Sequence, residues 1–161
     1  MEGKMVTAEW LKKTDLFRSL EEHQLSVILS YASTEFFPEG KTIFHQGDEA
    51  HYLYVLIGGA VALTVKTGEK IDLMTSTIEK EGSIFGMPSL LEPFSYNVTA
   101  TCLKPSKLLI IQAVAVNKHI EKDPKLGMEI MRKLASIYFN RLNEMREGVS
   151  RFIKTFRPKI P

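Results

Sequence analysis

Apolar positions along the 161-residue chain change their period twice. Near the start, Leu25, Ile28, Leu29 and Ala32 recur at i, i+3, i+4 and i+7, the face of a packed helix. Ser19 and Glu22 fit a capping box at its head, with Ser19 as the N-cap and Glu22 at the third helical position. The short turn Asp15-Leu16-Phe17 before it is expected to tuck against the same core. From residue 35 the period shortens. Runs rich in Val, Ile, Thr, Tyr and Phe cover 42–45, 52–57, 60–65, 71–78, 97–103 and 107–112. Glycine turns separate them at Gly40, Gly47, Gly58-Gly59, Gly68 and Gly82, roughly every ten residues, the spacing of a β-sandwich or small barrel. Gly68, inside Thr67-Gly68-Glu69, marks a hairpin tip.

The helical period then returns. A short helix is predicted over 114–122, and Asp123-Pro124 supplies an N-cap followed by Pro at the first helical position. Beyond it Met131, Ala135, Tyr138, Leu142, Met145, Val149, Phe152 and Phe156 alternate at spacings of four and three, a coiled-coil seam. Ile130, Leu134 and Ile137 form a second stripe, available to pack on the barrel. The seam can lie on the chain's own barrel or pair with a second copy; the second arrangement is preferred, because two apolar faces are hard to bury in so small a domain. Gly148 interrupts the helix at a cost of ~1 kcal/mol, so a bend or frayed end is expected there.

Composition narrows the function classes. With 44% hydrophobic and 25% charged residues, the chain has the make-up of an ordinary soluble globule, and its length allows burial of roughly two-thirds of the unfolded surface. Lys and Arg number 21 against 19 Asp and Glu, and a net charge of +2 is no footprint of a DNA-binding domain. The start lacks the apolar core of a signal peptide. The most apolar run, 108–116, is far shorter than the ~20 residues that span a bilayer. The single cysteine, Cys102, excludes an internal disulfide and sits in a strand-like run as a buried, inert thiol. A cytoplasmic location follows as the expectation.

The stretch 38–61 (PEGKTIFHQGDEAHYLYVLIGGAV), then Gly82-Ser-Ile-Phe-Gly86, a short helix, two strands and a long helix, resembles the cyclic-nucleotide-binding fold. It is most similar to the effector half of the Crp/Fnr transcription regulators, over roughly residues 14–150. Gly40, Gly47, Gly59, Gly82 and Gly86 carry the likeness, with Phe44, Gln46, Asp48, Tyr54 and Val61 between them. The resemblance implies a mainly β domain with flanking helices: a double-stranded β-helix, or jelly-roll-like β-roll, with an N-terminal helix and a long C-terminal dimerisation helix. Its implied division is an N-terminal segment 1–13, the roll with its flanking helices over 14–122, the long helix over 123–156 and a tail at 157–161. It further implies a homodimer through Met131, Ala135, Tyr138, Leu142, Met145 and Val149. In the family's transcription factors a helix-turn-helix domain follows; only 150–161 remains here, so autonomous DNA binding is not expected.

The family holds a cyclic phosphate in a cassette that falls on 85–100. Phe85, Gly86 and Thr99 match it. The glutamate that grips the ribose hydroxyl falls on Met87, and the arginine that pairs with the phosphate falls on Tyr96; Asn97 and Val98 stand where small residues are usual. Losing one partner of a buried charge pair costs ~2–5 kcal/mol of binding. A lost hydrogen bond to a charged group adds ~1.5–3 kcal/mol. Together these weaken binding by about 300-fold to nearly a millionfold. A helix starting near Pro88 would attract an anion by only ~0.3–1 kcal/mol, up to ~2 when partly buried. Tight binding of cAMP or cGMP is therefore not expected, and no cofactor is assigned.

Two readings of the replacements stay open. Met87, Phe94 and Tyr96 fill the core, or they line a pocket for a neutral or apolar effector with the Tyr96 hydroxyl, Asn97, Thr99 and Ser89 as polar handles. The candidate ligand pocket is Phe85, Gly86, Met87, Pro88, Ser89, Tyr96, Asn97 and Thr99. A metal at His45, His51, Asp48 and Glu49 has the wrong spacing, and His23 and His119 fall in helical segments. A haem finds only Cys102 and His119 as axial candidates, and no cysteine cluster could hold an iron–sulfur centre. No Ser-His-Asp order, carboxylate pair or Gly-rich nucleotide loop marks an enzyme. Arg146, Arg151, Lys154, Arg157 and Lys159 suit a helix C-terminus, or a weak nucleic-acid or partner contact. The sequence thus reads as a regulatory domain without catalysis. It senses a different small effector and signals through a partner protein, or serves as a dimerising interaction module.

Overall fold

The computed structural model describes residues 5–68 and 71–156, the side chain of Met74 excepted. Residues 1–4, 69–70 and 157–161, with Arg157 and Lys159, lie outside the described residues. Two short helices, α1 (Ala8–Lys12) and α2 (Glu22–Ser30), precede strands β1 (Ala32–Phe37), β2 (Thr42–Phe44), β3 (Tyr52–Lys66), β4 (Asp72–Ile78), β5 (Ile84–Phe85) and β6 (Thr99–Gln112). Helices α3 (Ala113–Lys122) and α4 (Pro124–Thr155) close the chain.

All strand pairings are antiparallel, in the order β1-β6-β3-β4, with β2 on β6 and β5 on β3. The runs 52–57 and 60–65, read as two strands around a Gly58-Gly59 turn, are one bulged strand; so are 97–103 and 107–112 from Thr99 onward. Gly59 sits at φ +110, and a Cβ there would lie 2.2 Å from Ser106 Oγ and 2.6 Å from Ser106 Cα. The diglycine therefore bends β3 against β6 without breaking the ladder, as a bulge does. Strand β1 was not anticipated. Ala32, read as the last residue of a helical face, instead starts β1 opposite Ile111, because α2 stops at Ser30.

The helix start also differs. Leu16, Phe17 and Leu20 are all buried, and the Leu20 N–H donates to Phe17 O, which holds Ser19 in a turn. Glu21, not Ser19, is the N-cap, and its N–H donates to Gln24 Oε1 at 2.9 Å. Within the N-terminal segment, α1 places Leu11 in the core, and Trp10 Nε1 donates to Glu81 Oε1 at 2.7 Å.

Strand alternation feeds two apolar clusters, because the central strands are covered on both faces. Leu53, Val55, Ile57, Leu109 and Ile111 join an outer cluster under the helices. Tyr54, Leu56 and Leu108 point into the roll with Phe44, Phe85 and Tyr96. Each large apolar side chain so buried stabilises the fold by about 1.5–3 kcal/mol.

Asp123 Oδ1 caps α4 by accepting from the N–H groups of Lys125 and Leu126, with Pro124 first in the helix. Leu126, Ile130 and Leu134 bury the first half of α4 against the outer cluster, and Ile137 packs beside them. The helix runs unbroken through Gly148, where no break or end occurs. At 32 residues it is roughly 48 Å long, and its second half carries apolar residues that this chain leaves uncovered.

Candidate functional site

The segment 85–99 crosses between the two clusters, and each side chain is placed by the cluster it enters. Phe85 pairs with β3 opposite Tyr54 and stacks on that ring at 5.2 Å, inside the roll. Gly86 adopts φ +76; a Cβ there would come within 2.9 Å of the Tyr54 ring and 3.0 Å of Tyr52 O, so only glycine fits. The chain then makes a single four-residue 3₁₀ turn, Met87–Leu90, with Pro88 second rather than first. The apolar helix expected here, and its attraction for an anion, is reduced to that turn. Met87 is fully buried in the outer cluster. Ser89 is also buried, its hydroxyl donating to Gly86 O at 2.7 Å, so it closes the turn and is no polar handle.

Tyr96 enters the roll. Its ring stacks on Phe44 with centroids 3.8 Å apart and 16° between planes. Its hydroxyl donates to Tyr52 O at 2.7 Å and accepts from Tyr52 N at 3.3 Å. Burial is the main cause that raises its pKa, and burial likewise raises that of Tyr54. Tyr96 and Met87 are thus both packed into the apolar clusters, one in the roll and one beneath the helices. Thr99 Oγ1 accepts from Gln46 N at 3.0 Å and ties the cassette's end to the loop before β3. Phe94, expected to crowd the ligand position, is 41% exposed and lies apart from the cassette cavity. It has φ 56 and lines a groove with His51 and Val114 instead.

A cavity of about 190 Å³ remains at the cassette's outer side. Gly86, Met87, Pro88, Tyr96, Asn97 and Val98 line it from the cassette, Thr75 and Ser76 from β4, and Tyr138, Arg141, Leu142 and Met145 from α4. Of the eight expected pocket residues, five therefore meet here; Phe85, Ser89 and Thr99 do not. The volume is below the ~300–1,000 Å³ of ordinary small-molecule pockets. Arg141 is the single charged residue in the lining, and sequence reasoning missed it. It is half-buried and donates from Nη2 to the carbonyl of Ile84, at the start of β5. Burial lowers its pKa below the usual arginine range, against smaller opposing effects of Tyr138, Glu144 and Asp15. Burial also raises the Tyr138 hydroxyl, which Arg141 partly offsets. An arginine set between the apolar seam positions Tyr138, Leu142 and Met145 was the available signal.

Elsewhere, His45 faces Asp48 at 3.7 Å and His51 faces Glu49 at 3.0 Å, two separate exposed pairs. Cys102 is buried, and burial raises its thiol pKa. Along the seam, Met131 and Tyr138 pack partly on the outer cluster and Ala135 is exposed. Leu142 (51%), Val149 (54%) and Phe152 (63%) stand open, with Met145 partly so. No helix among the described residues is long and apolar enough to cross a membrane.

The family model of the cyclic nucleotide-binding domain matches residues 34–123. The chain is 31% identical over 103 residues to the cyclic AMP receptor protein of Thermus thermophilus, covering 63% of this chain and 46% of that protein. It is 36% identical over 109 residues to the global nitrogen regulator of Nostoc sp., with the same shares covered. The chain thus spans about half the length of the curated relatives it matches. Among solved structures, it is similar to a candidate cyclic nucleotide-binding protein from Geobacter metallireducens GS-15. That match has a TM-score of 0.75 and 28% identity, over 86% of this chain and 99% of that one. The sensor domain of the transcriptional regulator DNR from Pseudomonas aeruginosa shares the fold at a TM-score of 0.70 and 23% identity, over 80% and 91% of the two chains.

Proposed function

The chain belongs to the cyclic nucleotide-binding domain family, and from that premise we propose that it is a non-catalytic effector domain of the Crp/Fnr type whose cyclic-nucleotide grip has been replaced by core packing. The observation that carries this reading is Tyr96. Where the family's arginine would meet the phosphate, its ring lies on Phe44 and its hydroxyl is bound to the Tyr52 backbone. Met87, at the place of the ribose-binding glutamate, offers no acceptor for the ribose hydroxyl. The small cavity volume supports the same conclusion, since a nucleotide is a full-sized ligand. The role in the cell is regulatory, in the manner of relatives named as a cyclic AMP receptor protein and global nitrogen regulators, with the signal passed to a partner through α4.

The domain works as a homodimer in this reading. The exposed apolar face of α4, from Leu142 to Phe156, continues the seam beyond the chain's own core, and such a face is normally covered in a soluble protein. Calorimetric titration with cAMP and cGMP, run beside light scattering, tests both parts. No low-micromolar cyclic-nucleotide binding and a dimer mass that Leu142→Glu halves are the expected results. Low-micromolar cAMP affinity would overturn the first part, and a monomeric parent chain the second.

A further inference from the structure

We propose that the cavity beside the cassette is a site for a small organic monocarboxylate with an apolar body, recognised by the Arg141 guanidinium. This deepens the reading above and rests on it, because the site is the cassette cavity with a different ligand class. A guanidinium taken partly out of water needs a compensating anion, and buried arginines usually find a carboxylate. Arg141 forms no close ion pair among the described residues: its hydrogen bond goes to the neutral carbonyl of Ile84, and Glu144 and Asp15 act on its charge only from beyond ion-pair distance. No buried side-chain nitrogen or oxygen among the described residues lacks a partner, so the other guanidinium N–H groups keep access to open space. Arg141 is a lining residue of the cavity.

The rest of the lining sets the ligand's character. Phe44, Leu63, Val98, Leu142 and Met145 are apolar, and no Asp, Glu, Lys or second Arg joins Arg141. One positive charge matches one negative charge. A phosphate monoester, with nearly two, would leave charge uncompensated in an apolar setting. A carboxylate also fits the planar fork that a guanidinium presents. The volume of about 190 Å³ admits a body of the size of a single ring or a short branched chain. Such a ligand would touch the cassette at Met87 and Val98 and the exposed helix face at Leu142 and Met145. It would thereby join the sensor loop to the proposed dimer helix.

The test uses the full chain with benzoate as the probe, benzamide as its neutral isostere, and inorganic phosphate and cAMP as competitors in class, all at matched ionic strength. Benzoate is expected to raise the melting temperature and, by calorimetry, to bind about ten- to a hundred-fold tighter than benzamide. Arg141→Gln should abolish that preference, and Arg141→Lys should retain part of it. If Arg141→Gln fails to fold, the benzoate–benzamide comparison in the parent chain decides, together with movement of the Arg141 side-chain Nε–H resonance on adding benzoate. Equal binding of benzamide, unchanged benzoate binding by folded Arg141→Gln, tighter binding of inorganic phosphate, or no benzoate binding at all would each overturn the proposal. Failure of benzoate with no cAMP binding sinks the carboxylate site alone; low-micromolar cAMP binding sinks the altered-cassette reading instead.

Discussion

Tyr96→Phe separates core filling from ligand contact with one oxygen atom. In the folded chain the Tyr96 hydroxyl is sealed in the roll, donating to Tyr52 O at 2.7 Å and accepting from Tyr52 N at 3.3 Å. The ring lies on Phe44, and only 4% of the residue reaches solvent. Removing the hydroxyl keeps the stack and deletes the hydrogen bonds, leaving backbone groups at the head of β3 short of a partner. A buried bond of this kind contributes about 1 kcal/mol, and the unsatisfied group it leaves raises the cost to about 1–3 kcal/mol. For a domain of this size each kcal/mol moves the melting temperature by about 2–4 °C, so a drop of roughly 2–12 °C is expected. Tyr96→Ala, which also removes the ring from the stack, should cost about 3–5 kcal/mol, the range for deleting a buried aromatic side chain. Urea unfolding followed by circular dichroism reads both. If Tyr96→Phe matches the parent within about 0.5 kcal/mol, the hydroxyl does not hold the cassette in place, and its role as a free polar handle returns.

Two other outcomes follow from the same packing. Burial raises the pKa values of Tyr54, Tyr96 and Tyr138 above those of the unfolded chain. Their contribution to stability is therefore complete below pH ~10 and is lost as pH rises through the folded values, by up to about 1.4 kcal/mol per pH unit for each tyrosine; urea midpoints that stay flat from pH 8 to 11 would refute it. Gly59→Ala should destabilise by about 2–6 kcal/mol, combining left-handed strain with a collision against Ser106, whereas Gly47→Ala, at φ +94 with open space around it, should show only the strain of about 1–3 kcal/mol; thermal melts compare the two.

The sequence carried the fold further than the site. Glycine turns and strand runs located four of the six strands or their halves, all but β1 and the two-residue β5, because each turn has a local cause in backbone conformation. Strand β1 was invisible because Ala32-Ser-Thr-Glu-Phe-Phe37 has little alternation, and its place is set by pairing with β6, a contact far along the chain. The helix start slipped from Ser19 to Glu21 for a similar reason: burial of Leu20 outweighed a favourable cap. At the site, the sequence singled out Met87 and Tyr96, but not where those side chains go. Arg141 was absent from the reading because it lies about 45 residues beyond Tyr96, on an element whose periodicity spoke only of packing.

The side chains at 87 and 96 go to different places, and in the proposed reading that difference lets a cassette keep its outline without the family's grip. In a strand-to-loop segment lying between two cores, neighbouring side chains have two apolar volumes to choose from. Phe85 and Tyr96 enter the roll, where they complete an aromatic group with Phe44 and Tyr54. Met87 turns outward beneath the helices, in the same cluster as Ile130 and Leu134 of α4. A polar pair at 87 and 96 would leave both volumes short of packing unless a ligand filled them; Met and Tyr fill them from within the chain. The cassette's shape is then held by folding free energy rather than by binding free energy. Whatever occupies the remaining 190 Å³ meets a wall that is already set on the cassette side. Its freedom to act lies on the opposite wall, where Leu142 and Met145 of α4 are exposed and Arg141 reaches across to β5.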